Sequence, residues 1–202
     1  SDDGASALTA IGFTFNFGGN NYTQFGAGAN GVLRLGAVTT TAATYYTNSL
    51  ANANTGGAMI MPYWDDLATG TTGSVRYELQ GSAPNRRLVV EWFVTVPRNT
   101  GGAANARFQC WLDETTNVIT FVHGTGTLAN TANSGYSIGI NLATSLYTSV
   151  NGATHANSTS TFTTTATAAI AAGRWYQFTP PVPCSGTPNA GSVPSPVAVC
   201  SG

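Results

Sequence analysis

Apolar and polar residues alternate at every second position along much of this chain. In residues 11–17 the apolar side chains of Ile11, Phe13, Phe15 and Phe17 are separated by small or polar residues. This period of two places all four side chains on one face of a β-strand. The next four residues, 18–21, are two glycines and two asparagines, which tolerate the positive φ angles of a tight turn. The pattern predicts a hairpin whose second strand covers residues 22–25.

The same criteria predict eight further strands, at residues 32–35, 58–63, 74–80, 87–96, 106–113, 118–122, 136–140 and 175–178. In residues 74–80 three apolar side chains alternate with Arg76, Glu78 and Gln80, so this strand has one wet face. Residues 88–94 are almost continuously apolar, which predicts a central strand covered on both sides. Residues 113–117 have the length and residue types of a tight connection, so residues 106–122 are expected to form an antiparallel hairpin.

No segment shows a sustained helical period, and about ten short strands are separated by Gly and Asn turns. These features predict an all-β fold, an antiparallel β-sandwich or jelly roll. Residues 39–55 and 148–165 are expected to be surface loops. From Thr179 onward prolines recur, and each removes a backbone donor that a central strand needs. We therefore expect a β-sandwich domain over residues 1–178, followed by a Pro-rich extended tail over residues 179–202.

Charge is scarce in this sequence. Only 7% of the 202 residues are charged, against about 25% in an ordinary soluble domain. All seven basic residues are arginines, and the net charge is −1. A surface built from Thr, Ser, Asn, Gly and Ala offers little electrostatic repulsion to another copy of itself. The scattered arginines form no footprint for nucleic acid or an anionic membrane, and no apolar run reaches the length of a membrane span.

The start of the chain and its cysteines indicate an exported protein. Residues 1–4 include neither a Met nor a hydrophobic targeting region, as in a mature protein after signal removal. Cys110 lies in an apolar segment and shares a strand face with Phe108 and Leu112, so it is expected to be a buried, reduced thiol. Cys184 and Cys200 bracket the tail and are expected to form a disulfide. The alternative is that Cys200 pairs with a residue beyond Gly202.

Five ordered segments resemble the N-terminal β-sandwich modules of large secreted proteins of the Bacteroidetes and related bacteria: residues 11–17, 30–36, 60–67, 83–92 and 108–121. The Pro-Tyr-Trp-Asp-Asp motif at residues 62–66 is also similar to the nidogen extracellular domain. Cys184 and Cys200, each followed by Ser-Gly, resemble the cysteines at the start of the Ig-like repeats that follow such modules. The resemblance implies a non-catalytic extracellular module of adhesins and surface architecture, and it carries no catalytic or binding residues onto this chain.

Asp65 and Asp66 are the candidate metal ligands. Paired carboxylates supply oxygen ligands of the kind Ca²⁺ prefers. No Asp-x-Asp-x-Asp-Gly loop accompanies them, so the alternative is a strand end whose carboxylates accept hydrogen bonds from turn amides or pair with an arginine. Adjacent strand residues face opposite ways, which argues against a general acid and base pair. We expect no other cofactor.

Catalytic motifs are weak in this sequence. His123 and His155 lie in no zinc-binding spacing, and no Gly-x-Ser-x-Gly elbow is present. The Gly-rich residues 26–31 lead into a strand, whereas a nucleotide loop leads into a helix whose N-terminus binds phosphate. We therefore expect a protein that is not an enzyme.

Two groups of residues are candidates for contact with glycans: aromatic residues that could bind a sugar, and Ser, Thr and Asn residues that could carry one. Tyr45 and Tyr46, in a loop, are the preferred candidates for stacking on a sugar, ahead of Tyr63, Trp64, Trp92 and Trp111, whose alternating positions favour the core. The Ser/Thr-rich loops are expected to carry O-linked glycans, with Thr40, Thr41, Ser158, Thr159 and Thr164 as the candidate sites. Asn21 and Asn157 begin N-glycosylation sequons.

These features together predict a secreted, non-catalytic structural subunit of a surface adhesin, fibre or filament, which associates through neutral surfaces and strand edges. The alternative is a carbohydrate-binding module of a secreted hydrolase. Val193, Val197 and Val199 would lie on one side of an extended tail and are the candidate contacts with a neighbouring subunit. The partner is then another copy of the chain, whereas a tail that serves as a spacer would lead to downstream Ig-like domains.

Overall fold

Alternating side chains form strands in each part of the chain that the structure describes. The computed structural model describes residues 2–36, 46–126 and 135–181. Within them twelve strands and one short helix follow in chain order: β1 (Thr9–Phe17), β2 (Asn20–Gly28), β3 (Val32–Leu35), α1 (Leu50–Ala53), β4 (Met59–Trp64), β5 (Ser74–Gln80), β6 (Arg87–Val94), β7 (Ala106–Asp113), β8 (Ile119–His123), β9 (Ser137–Ala143), β10 (Leu146–Val150), β11 (Asn157–Ser158) and β12 (Trp175–Phe178).

The strands form two antiparallel sheets. One sheet has seven strands in the order β1-β2-β3-β4-β9-β10-β11, and the other has five in the order β12-β8-β7-β6-β5. Apolar side chains of both sheets meet in one buried core, which includes Phe15, Leu33 and Ile60 from the first sheet and Trp92 and Phe121 from the second. The predicted all-β sandwich is therefore confirmed.

Aromatic residues join the two sheets at the centre of the core. The ring of Phe108 on β7 lies 5.6 Å from that of Tyr63 on β4 and 5.3 Å from that of Trp92 on β6. The Trp92 indole nitrogen donates a hydrogen bond of 2.8 Å to the carbonyl oxygen of Gly28, across the gap between the sheets. Buried Trp needs such a partner, and this bond fixes the β2 end over β6.

Two expectations about covered and looped segments need correction. β6 lies between β5 and β7, but only one of its faces enters the core. That face carries Leu88, Val90, Trp92 and Val94, whereas Glu91 on the opposite face is partly exposed. Residues 148–165 are not one loop: residues 148–150 belong to β10, and β11 covers residues 157–158. The Ser and Thr residues there hid the strand, because they weaken the apolar alternation that marks it.

A short helix inside the expected loop 39–55 covers the outer face of the seven-stranded sheet. Ser49 caps α1, its side chain accepting a hydrogen bond from the Asn52 N–H. Ala53 of α1 joins a second buried cluster with Val32, Met59, Met61 and Trp64, on the side of the sheet away from the main core.

Arg34 on β3 holds α1 in place. Its buried guanidinium donates hydrogen bonds to the carbonyl oxygens of Asn52, Ala53 and Gly57, at 2.9, 3.0 and 2.5 Å. Carbonyl oxygens at the end of a helix have no intrahelical partner and carry partial negative charge. The buried guanidinium therefore supplies hydrogen-bond donors to carbonyl oxygens at the end of α1.

Candidate functional site

The turn that follows β4 brings together the acidic residues of the amino terminus and of the Pro-Tyr-Trp-Asp-Asp motif. Asn30, buried in the turn between β2 and β3, organises it. Its backbone carbonyl accepts from the Asp65 N–H at 3.4 Å, and its side-chain oxygen accepts from the Leu67 N–H at 2.8 Å. The Asn30 amide nitrogen donates to Asp3 at 2.8 Å. Asn30 thus links three segments: the turn between β2 and β3, the amino terminus and the turn that follows β4.

Three carboxylates converge at this turn. One oxygen each from Asp2, Asp3 and Asp66 lies within 4.8 Å of the others. Arg98 is paired with two of them: its Nε lies 2.9 Å from Asp2 Oδ1 and 3.3 Å from Asp66 Oδ1, and its Nη2 contacts the second Asp2 oxygen. This pairing lowers the pKa of Asp2 below its usual value. We name this group the carboxylate cluster.

Calcium takes six to eight oxygen ligands, and the carboxylate cluster offers hard oxygens of the right kind. Arg98 already supplies positive charge there, so a cation would have to displace the guanidinium from Asp2 and Asp66. Asp66 of the predicted pair belongs to the cluster, and Asp65 points elsewhere. Asp2 and Asp3 were missed by sequence reasoning, because only tertiary structure brings the amino terminus to this turn.

Asp65 is buried beside this cluster. Its Oδ1 accepts a hydrogen bond of 2.8 Å from the Asp66 N–H, and its Oδ2 has no hydrogen-bond partner among the described residues. Burial, together with the negative charge of Asp66, raises the pKa of Asp65 to about 7. Asp65 therefore holds its proton through much of the range in which an ordinary aspartate is ionised.

His123, the second buried ionisable residue of interest, lies at the end of β8. Its Nε2 is 3.0 Å from the carbonyl oxygen of Pro62, and burial lowers its pKa to about 4. The ring is thus neutral at pH 7 and donates from Nε2 to that oxygen.

Most of the aromatic residues considered for sugar stacking are inaccessible. Tyr63, Trp64 and Trp92 are fully buried. Trp111 lies on the outer face of the five-stranded sheet, but the Arg87 guanidinium covers its ring at 4.4 Å from the centroid. Tyr46 is exposed, and Tyr45 lies outside the described residues. A shared platform of these aromatic rings is therefore absent among the residues that the structure describes.

The outer face of the five-stranded sheet holds a network of ion pairs. Arg107 pairs with Glu91 at 2.8 Å and covers the ring of Phe93 at 3.7 Å, and Arg87 pairs with Asp113 at 2.5 Å. Gln109 donates to Glu91 at 2.9 Å. The charged and amide groups of this face pair with one another and remain in contact with solvent. The face is therefore poorly suited to packing on another sheet.

The side of the sandwich next to β5 is open. β5 is the last strand of its sheet, and no other strand of the described chain pairs with its outer edge. A cleft of about 290 Å³ lies between β5 and the segment at residues 4–6, which runs along β2. Its lining includes the apolar Ala5, Phe25, Ala27, Ala29, Val75 and Tyr77 together with the polar Thr69 and Arg76. We name this cleft, together with the outer edge of β5, the edge groove.

Apolar side chains at the edge groove remain in contact with water. Tyr77 is 58% exposed, and its ring meets that of Phe25 edge-on at 5.5 Å. Leu79, 42% exposed, packs on the backbone of Gly12. The sequence predicted the alternation of β5, but the pattern alone did not identify β5 as an edge strand.

The other predicted residues divide between described and undescribed parts of the chain. Thr159 is exposed, and Ser158 and Thr164 are partly buried. Cys110 is buried and unpaired, as expected. Outside the described residues lie Thr40, Thr41, Cys184, Cys200, Val193, Val197 and Val199.

Comparison with known proteins gives one match. A family model described as NIDO related matches residues 1–180. Searches of curated proteins and of solved structures found no match. The family indicates an extracellular structural module, and the match supports the expected likeness to a nidogen-type module as a whole. No helix in the described part of the chain has the length and apolar character needed to cross a membrane.

Proposed function

We propose that this chain, which belongs to the NIDO-related family, is a non-catalytic secreted subunit of an extracellular surface assembly, an adhesin or a filament. One observation carries the proposal: an unpaired, partly apolar strand edge on a molecule with almost no charge. Open edges invite pairing with another chain, and many proteins guard them with charges or prolines. In β5 the apolar Val75, Tyr77 and Leu79 alternate with the charged Arg76 and Glu78. Of these residues, Val75, Arg76 and Tyr77 line the cleft.

Neutral surfaces support the same proposal. Copies of a chain with a net charge of −1 meet without strong repulsion. The ion pairs of the outer sheet face are satisfied internally, which leaves strand edges as the better contact. Main-chain hydrogen bonds at an edge give affinity without requiring charged side chains.

The test is the state of the purified full chain. We expect sedimentation and negative-stain images to show filaments or regular oligomers that grow with concentration. Isolated particles at every concentration would contradict the proposal. If such particles bind polysaccharide on an affinity gel, the protein is instead the carbohydrate-binding module considered as the alternative.

Surface glycans are the second part of this proposal. Thr159 is exposed next to Ser158 in a Ser/Thr-rich segment, and Thr164 follows in the same stretch. The exposed Thr159 hydroxyl is accessible to a transferase, whereas Ser158 and Thr164 are partly buried. The intact mass of protein from its native source should exceed that of the bare chain, with the excess mapping to peptides that contain residues 39–41 or 157–165. Agreement with the bare mass would exclude glycans at these residues.

A further inference from the structure

We infer that the edge groove is the acceptor site for the tail of a second copy of this chain, whose residues 193–199 add a strand to the outer edge of β5. This inference rests on the proposed function, since it names the contact through which copies would join. It assigns an occupant to an open site and a role to a neutral tail.

The outer edge of β5 is suited to receive a strand. β5 pairs with β6 over its whole length, from Ser74 opposite Phe93 to Gln80 opposite Arg87, in a regular register without a bulge. Alternate N–H and C=O groups of such a strand point away from its neighbour. No strand, bridge or backbone hydrogen bond from the rest of the described chain meets them. A complete ladder is therefore available on this side.

The floor of the edge groove is made of small residues. Ala27 and Ala29 of the β2 end and the adjacent turn face the cleft, and Ala5 forms its opposite wall. These side chains are short, so they leave space beside β5. The cleft of about 290 Å³ is roughly twice an apolar cavity of ~150 Å³ that holds one benzene. Side chains of an added strand would fill this space and cover Val75 and Tyr77.

The tail has the sequence that such a site requires. Residues 182–202 contain no charged side chain, so nothing in them opposes burial. In an extended strand Val193, Val197 and Val199 share one face and direct their N–H groups to one side. Pro194 and Pro196 lie at the alternate positions, where their missing donors would face away from β5. The prolines would then also close the new edge to further pairing.

The choice of a second copy over the same copy rests on the proposed function, because the 14 residues 179–192 span roughly 46 Å when fully extended and therefore reach either one. The tail follows β12, and β12 and β5 are the two opposite edges of the five-stranded sheet. These edges are four strand spacings apart, about 19 Å at ~4.8 Å each. A tail that leaves the β12 edge of one copy and docks on the β5 edge of the next joins two different surfaces. This contact is head-to-tail, and a head-to-tail contact that does not close into a ring builds a filament.

Two full-length variants test the inference. Tyr77→Lys places a charge at the groove, and Val197→Asp places one on the tail face that would enter it. Each variant alone should lose assembly. Mixed in equal amounts they should form a complex of two chains and stop, because the Val197→Asp chain keeps a groove and the Tyr77→Lys chain keeps a tail. Glu78→Lys and Ala198→Asp, at the neighbouring positions that face away, should assemble like the unmodified chain.

Hydrogen exchange at residues 74–80 gives a second measurement. In the assembled protein the alternate amides of β5 that point away from β6 should exchange at least tenfold more slowly than in the Val197→Asp variant. If the unmodified chain assembles and both Tyr77→Lys and Val197→Asp assemble equally well, the inference fails while the proposed function stands. An unmodified chain that stays monomeric defeats the proposed function. Tail-dependent protection of β5 in such a monomer would show that the chain's own tail fills the groove.

Discussion

Two buried ionisable residues, Asp65 and His123, act on stability in opposite directions. The pKa of Asp65 rises from 3.8 to about 7, so the folded chain holds a proton that the unfolded chain releases. Its contribution to stability is present below pH 3.8 and is lost as the pH rises toward 7. The pKa of His123 falls from 6.5 to about 4, so its contribution is lost as the pH falls through that interval.

Asp65→Asn should expose the effect of His123. Between about pH 4 and 6.5 each residue changes the unfolding free energy by up to ~1.4 kcal/mol per pH unit, with opposite signs. The two effects offset each other in the unmodified chain. In Asp65→Asn the free energy of unfolding should rise with pH across this window, measured by denaturant titration at several pH values. His123→Gln is the complementary variant: with the effect of Asp65 left alone, its free energy of unfolding should fall as the pH rises across the same window. Parallel curves for all three proteins would contradict the assignment.

Cys110 offers a test of the core. Its thiol is fully buried in the main core, and burial raises its pKa far above the usual range. The reactive species is the thiolate, so Cys110 should remain unmodified by iodoacetamide in the folded protein and react after unfolding in guanidinium. Peptide mass mapping separates Cys110 from Cys184 and Cys200. Rapid labelling of Cys110 in the folded chain would show that the core around β7 opens easily.

At the scale of elements, the strands with clear alternation were predictable. The structure has the predicted bounds for β3, β5, β7 and β12. α1 was not predictable, because one turn of helix has no period of its own and depends on the Ser49 cap and on Arg34. Only one of the three members of the carboxylate cluster was predicted: the motif marked Asp66, but the fold supplied Asp2 and Asp3. Whether a strand lies at the edge depends on the whole sheet, so the local sequence of β5 did not identify it as an edge strand and proposed acceptor site.

The turn between β2 and β3 depends on Gly31. Its φ is +74°, and a Cβ there would lie 1.8 Å from the carbonyl oxygen of Tyr63 on β4. Gly31→Ala should therefore displace the backbone of β4 and lower the free energy of unfolding by ~3 kcal/mol or more. Gly19→Ala is the matched control, since its φ is +81° but no atom lies within 4 Å of the added Cβ.

Gly19→Ala should cost only the backbone strain, about 1–2 kcal/mol. Denaturant titration of both variants measures the difference. Equal losses would mean that the backbone at β4 yields to the added methyl group without strain, and that the close approach of Gly31 to Tyr63 is unimportant for the fold.

At the scale of the whole molecule, low charge and an open edge act together. Seven arginines and eight acidic residues in 202 positions leave little long-range field, and the pairs Arg87–Asp113 and Arg107–Glu91 already neutralise part of it. Recognition between copies would then depend on hydrogen bonds and apolar contact at short range. Such an assembly would be selective through register and shape, and it would respond only weakly to ionic strength.

Assembly should therefore respond weakly to sodium chloride. Raising the salt from about 0.05 to 0.5 M shortens the screening length severalfold, yet the concentration at which copies assemble should change by less than about twofold, because few charges take part. Sodium sulfate at equal ionic strength should promote assembly, since it strengthens apolar burial. Light scattering across a dilution series measures both. A tenfold loss of assembly in sodium chloride would instead place the contact on the charged outer face around Arg107 and Glu91, and it would remove the edge groove from the interface.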